Sequence, residues 1–126
     1  MMADDVRVLV VDDQLPFRRA AKAVCSMTPG FTVAGDAESG EDAVDAAHQL
    51  RPDLVLMDIR LPGIDGIEAA RQITTAEPDV SVILLSTYHE SDLPAGWPSC
   101  GALGFVNKDE FGPDVLLELW EGRTAA

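Results

Sequence analysis

Apolar residues recur along the chain in two alternating rhythms. The first is a set of short unbroken runs, Val6–Val11 (VRVLVV), Leu54–Met57 (LVLM) and Val80–Leu85 (VSVILL). Runs this short and rich in Val, Ile and Leu predict strands buried on both faces. Phe31–Gly35 and Leu103–Val106 predict two weaker strands.

The second rhythm is helical. Phe17, Ala20, Ala21 and Val24 recur at i, i+3, i+4 and i+7, and Pro16 suits a first helical turn. Ser39-Gly-Glu-Asp42 resembles a capping box, opening a helix with Ala43, Ala47 and Leu50 on one face. Asp65-Gly-Ile-Glu68 repeats that spacing and opens another, with Ile67 and Ala70 inward and an end before Pro78. Gly112-Pro113 starts a last helix whose inner face is Val115, Leu116, Leu119 and Trp120.

Strand and helix thus alternate five times. Parallel neighbours need crossovers, so the alternation implies an α/β fold with helices on both faces of a parallel sheet. The helix expected between Tyr88 and Gly101 breaks the rhythm, because Pro94, Gly96 and Pro98 fall within it. A proline inside a helix costs about 3 kcal/mol, so this helix is expected to be short or replaced by a loop.

The chain of 126 residues fits one domain, with an ordered core over about 6–121 and a short tail at 122–126. No apolar run approaches the roughly 18 residues needed to span a bilayer. The acidic N-terminus has no basic segment followed by an apolar one, so a cytoplasmic protein is expected. The 22 acidic against 9 basic residues set a formal charge of −13. Such a field repels phosphate backbones and anionic membranes, so direct contact with nucleic acid or membrane is not expected. Cys25 and Cys100 form no C-x-x-C pair and read as small buried hydrophobes. His48 and His89 have no metal-like companions and read as surface residues.

In an open parallel sheet, ligands bind beyond the carboxyl ends of the strands. The first strand ends at Asp12-Asp13, the third at Asp58, the fourth at Ser86-Thr87 and the fifth at Asn107-Lys108. All of these converge on one edge. Three carboxylates so gathered repel one another, and at least one pKa rises unless a cation compensates. Mg²⁺ suits such a set, since it prefers carboxylates, carbonyls and waters. Lys108 adds a mobile positive charge and Ser86 a hydroxyl. Together these parts can stabilise a phosphoryl group moving onto a carboxylate oxygen. Thr87 is expected to point away, by strand alternation.

The segments VLVVDDQLPFR, VLMDIRLPGIDG, VILLST and GFVNKD resemble the signature blocks of bacterial response-regulator receiver domains, from about Val6 to Trp120. The resemblance implies a flavodoxin-like sheet in order 2-1-3-4-5. It implies that Asp58 accepts a phosphoryl group from a sensor histidine kinase or phosphotransfer protein. Mg²⁺ would be held by Asp12, Asp13, Asp58 and the carbonyl of Arg60, with Asp12 acting largely through water. Lys108 would pair with the phosphoryl group, Ser86 would turn towards it, and Phe105 would follow by changing rotamer. A signalling output rather than turnover of an external substrate follows, towards an unidentified downstream protein.

Blander readings stand beside these roles. Asp12 and Asp13 can cap a helix, Asp58 can serve the turn before Leu61-Pro62-Gly63, and Phe105 can be static core. Trp97 either anchors a partner or fills the space of a missing helix, and a homodimer stays open. An aspartyl-phosphate phosphatase would need a general acid two residues after Asp58, where Arg60 cannot serve. A pseudo-receiver that works without phosphorylation is disfavoured by the intact set of Asp12, Asp13, Asp58, Ser86 and Lys108. Since nothing follows Ala126, the chain is expected either to act alone or to be the receiver half of a longer DNA-binding regulator.

Overall fold

The computed structural model describes residues 5–88, 93 and 97–123. In chain order the strands are β1 (Val6–Val11), β2 (Phe31–Ala37), β3 (Leu54–Asp58), β4 (Ser81–Ser86) and β5 (Gly104–Asn107). The helices are α1 (Leu15–Met27), α2 (Gly40–Leu50), α3 (Gly66–Ala76) and α4 (Pro113–Gly122). All strand pairs are parallel and the sheet order is β2-β1-β3-β4-β5, as the sequence predicts.

Local chemistry starts the helices where the sequence places them. The Ser39 side chain accepts from the Asp42 amide at 3.1 Å, and Asp65 accepts from the Glu68 amide at 2.8 Å. Each bond satisfies an orphan donor of a first turn, worth about 1 kcal/mol. The far end of α2 is closed by Arg7, whose Nη1 donates to the carbonyls of Leu50 and Arg51.

Two apolar layers lie on either side of the sheet. On one, α2 and α3 place Ala43, Ala47, Ile67, Ala70 and Ile73 against Leu9, Val55, Met57 and Leu84. On the other, α1 and α4 place Ala21, Cys25 and Leu116 against Val8, Val10, Leu56 and Ile83. Burial of each Val, Leu, Ile or Met side chain among them contributes about 1.5–3 kcal/mol, and of each alanine methyl less. The inner strands β1, β3 and β4 are apolar on both faces for this reason. Both cysteines are buried and free, and burial pushes the Cys25 thiol up to about 11.

The face of α1 differs from the expected one. Ala20 is exposed, whereas Arg18, Ala21 and Cys25 are buried and Phe17 and Val24 half-buried. The stripe 18-21-25 obeys the helical period as well as the apolar stripe does; one of its members is an arginine.

The expected disruption between β4 and β5 falls largely on residues 89–92 and 94–96, outside the described residues. Among the described residues there, the one regular element is a single 3₁₀ turn, Trp97–Ser99. Trp97 is half-buried, packs on the α2/α3 side of the core and lies 6.2 Å from the Phe105 ring, measured between centroids. In this arrangement it is a packing residue.

Candidate functional site

The carboxyl ends of β1, β3, β4 and β5 meet at one edge of the sheet. β1 leaves the sheet at Asp12-Asp13, β3 ends at Asp58, β4 at Ser86 and β5 at Asn107, with Lys108 next. One carboxylate oxygen from each of Asp12, Asp13 and Asp58 lies within 4.8 Å of the others. Asp12 and Asp58 are buried and Asp13 is exposed, so the cluster has a closed floor and a wet mouth.

Asp12 is held at both oxygens. Its Oδ1 accepts from the Gln14 amide at 2.7 Å, and its Oδ2 meets Lys108 Nζ at 2.5 Å. The same ammonium is 3.5 Å from Asp58 Oδ2 and 4.5 Å from the centroid of the Phe17 ring. Lys108 was expected to be mobile; here it is seated between two buried carboxylates and an aromatic face. Asp58 Oδ1 accepts weakly from the Arg60 amide, at 3.4 Å.

Burial pushes the Asp58 carboxyl up to about 6, from 3.8, and the charge of Asp12 adds to the rise. Lys108 and the Arg60 amide pull it back. One ammonium does not balance three acids packed this closely, which is the condition a bound cation relieves.

An open cleft of about 460 Å³ leads to this cluster, lined by Asp13, Gln14, Asp58, Arg60, Ser86, Thr87 and Lys108. Ser86 is buried, and its hydroxyl accepts from the Tyr88 amide at 3.0 Å. Thr87 lines the cleft, contrary to expectation. β4 ends at Ser86, so strand alternation no longer governs the next residue. Tyr88 and Arg60 form the rim, with the guanidinium carbon 5.1 Å from the ring centroid. Phe105 sits one strand over, half-buried beneath Trp97 rather than in the cleft.

The donor set fits Mg²⁺. Three hard oxygen donors from two strand ends face one opening, and the exposed side of Asp13 leaves room for the waters that this ion keeps. Arg18 is the residue that sequence reasoning missed. It is buried on α1, and its Nη1 donates to the Asp12 carbonyl at 2.8 Å.

A buried acidic cluster, a lysine and a hydroxyl at strand ends of a 2-1-3-4-5 sheet define a receiver-type fold. Comparison with known proteins makes the assignment specific: residues 8–121 match the response regulator receiver domain, and the chain belongs to that family. Among curated relatives, the transcriptional regulatory protein DegU of Brevibacillus brevis is 35% identical over 113 residues, 90% of this chain and 48% of its own length. The response regulator UvrY of Escherichia coli is 39% identical over 111 residues, 88% of this chain and 51% of its own length. The chain thus spans about half the length of the curated relatives it matches. The signal receiver domain of NarL from Mycobacterium tuberculosis superposes with a TM-score of 0.87 at 31% identity, covering 96% of this chain and 100% of that one. Response regulators are signalling proteins, and their receiver domains interact with histidine kinases. Among the described residues, no helix is long and apolar enough to cross a membrane.

Proposed function

We propose that this domain is a phosphorylation-dependent switch in which Asp58 accepts a phosphoryl group from the phosphohistidine of a sensor histidine kinase or phosphotransfer protein. The observation that carries the reading is the convergence of Asp12, Asp13 and Asp58 within 4.8 Å, with Lys108 against two of them. Asp12, Asp13, Asp58 and the Arg60 carbonyl would hold Mg²⁺, which when bound neutralises charge on the transferred group.

The chain's own residues supply the rest. A carboxylate oxygen of Asp58 forms the new P–O bond as the donor's N–P bond breaks, and the departing imidazole keeps the electron pair and takes a proton. Lys108 needs to move little to reach the product, since it already lies 3.5 Å from Asp58. Phosphorylation adds about −1.5 to −2 charges, which draw the Lys108 ammonium and the Ser86 hydroxyl inward. Ser86 then gives up the Tyr88 amide, and the β4 end and Phe105 rearrange together.

The test is intact mass after incubation with acetyl phosphate and Mg²⁺. A single phosphoryl adduct is expected, acid-stable, base-labile and absent in Asp58→Ala. An adduct that persists in that variant would place the chemistry elsewhere.

The output runs through the Phe105–Trp97 contact, where the ring centroids are 6.2 Å apart. Saturating phosphodonor and Mg²⁺ are therefore expected to change the tryptophan emission of the wild type and of Trp120→Phe, but not of Trp97→Phe. An unchanged wild-type spectrum alongside full phosphorylation would remove Phe105 from the relay.

The signal passes to a partner protein or to a further domain of a longer regulator. With a charge of −13, this chain is a poor ligand for DNA by itself. The DegU relative is a transcriptional regulatory protein, a role that belongs to the whole of that protein. The domain spans residues 1–126 and works in the cytoplasm.

A further inference from the structure

Arg18 is a buried cation that the phosphoryl chemistry does not use. Its side chain is 9% exposed. Nη1 donates to the Asp12 carbonyl at 2.8 Å, and Nε has no hydrogen-bond partner. Nε does face Asp36 Oδ2 at 3.5 Å, and Nη1 lies 3.8 Å from Glu38. The Asp12 amide donates to the Ala37 carbonyl on β2 at 3.1 Å. With Gln14 and Lys108 on its carboxylate, every polar group of Asp12 is engaged.

We infer that Arg18 is a positioning residue for the Asp12–Asp13 turn, acting on the metal-ligating carboxylates through the backbone. The inference rests on the magnesium reading given above. A carbonyl at the exit of a strand can rotate, and its rotation swings the peptide that joins Asp12 to Asp13. Arg18, anchored by Asp36, fixes that peptide from the α1 side while Ala37 fixes the Asp12 amide from the β2 side. Both carboxylates then leave the strand end at set angles. Arginine suits the task because its rigid fork lets Nη1 donate to the Asp12 carbonyl while Nε faces the Asp36 charge, whereas a lysine ammonium is a single point.

The alternative is that Arg18 is only a counter-charge for nearby acids, and the two roles predict opposite signs. Removing a cation near an acidic cluster strengthens attraction for Mg²⁺ by electrostatics alone. Loss of a group that orients ligands weakens metal binding, by about 10- to 100-fold in known sites.

The measurement is Mg²⁺ affinity by calorimetry on wild type, Arg18→Met and Arg18→Lys, with denaturant melts of the metal-free proteins as the control for folding. About 10-fold or weaker binding is expected for the folded Met variant. The Lys variant, which keeps the charge, is expected to weaken binding as well. Asp36→Asn, a change at an exposed residue, releases the anchor and serves if Arg18→Met does not fold; a smaller loss is expected there. Affinity equal to or tighter than wild type in the folded variants would overturn the inference and leave the phosphorylation reading intact. Wild-type protein that takes up no Mg²⁺ would overturn both.

Discussion

Asp58→Asn is expected to make the metal-free protein more stable at neutral pH, raising its melting temperature by on the order of 10 °C. The reason lies in what burial does to this one carboxyl. Its pKa is pushed up to about 6 in the folded chain against 3.8 for the free side chain. An acid with a raised folded pKa binds its proton more tightly when folded. Below about 3.8 both states are protonated, and Asp58 carries no penalty. As pH climbs from there to about 6, the unfolded chain ionises first and the fold loses stability; above 6 the loss is complete. At about 1.4 kcal/mol per pKa unit, the penalty is about 3 kcal/mol. Asparagine has a similar shape and no charge, so it removes the penalty while Lys108 keeps its contact with Asp12. The gain should therefore shrink through pH 6 to 4 and vanish below. It should also shrink when Mg²⁺ is added, because the ion stabilises only the chain that binds it. Melting curves across this pH range, in EDTA and in Mg²⁺, are the check. A variant that is less stable than wild type at pH 7 in EDTA would mean that the cluster is not the strained arrangement described here.

That strain was legible in the sequence, for a specific reason. Asp12, Asp13, Asp58, Ser86 and Lys108 follow short apolar runs, and in a parallel sheet every such end faces the same edge. The gathering of the acids follows from that one rule, while the sheet order follows from the resemblance to receiver domains. What failed to show were features set by three-dimensional direction. Arg18 lies in the buried stripe of α1, but a face drawn through apolar letters steps over a charged residue and selects Ala20, which is exposed. Thr87 was placed by alternation one residue beyond the end of β4, where alternation no longer applies. The sequence places Lys108 at the acidic edge as a mobile charge, but nothing local announces that its resting partner is Asp12, 96 positions away. Trp97 showed two readings in the sequence, and only its contact with Phe105 separates them.

Gly66→Ala is expected to be far more damaging than its size suggests. The first residue of α3 looks like turn punctuation after Leu61-Pro62-Gly63, yet its space is set by β3. A Cβ there would lie 2.0 Å from the Asp58 carbonyl oxygen and 2.8 Å from the Asp58 carbonyl carbon and the Ile59 Cα. All three are backbone atoms at the end of the central strand, so no rotamer change relieves the clash. The Gly66 amide also donates to the Ile59 carbonyl at 2.8 Å, which holds the two segments together as the clash would drive them apart. Overpacking of this kind costs about 3 kcal/mol or more. The strain falls on the peptide that carries Asp58, so whatever folded protein remains should also take up phosphoryl groups more slowly. Gly122→Ala at the end of α4 is the matched control. Nothing lies within 4 Å of its added Cβ, and alanine in a helix gains up to about 1 kcal/mol over glycine. Denaturant melts of the two variants should thus move in opposite directions. If Gly66→Ala matched wild type in stability and phosphorylation rate, the close approach of α3 to the end of β3 would have to be abandoned.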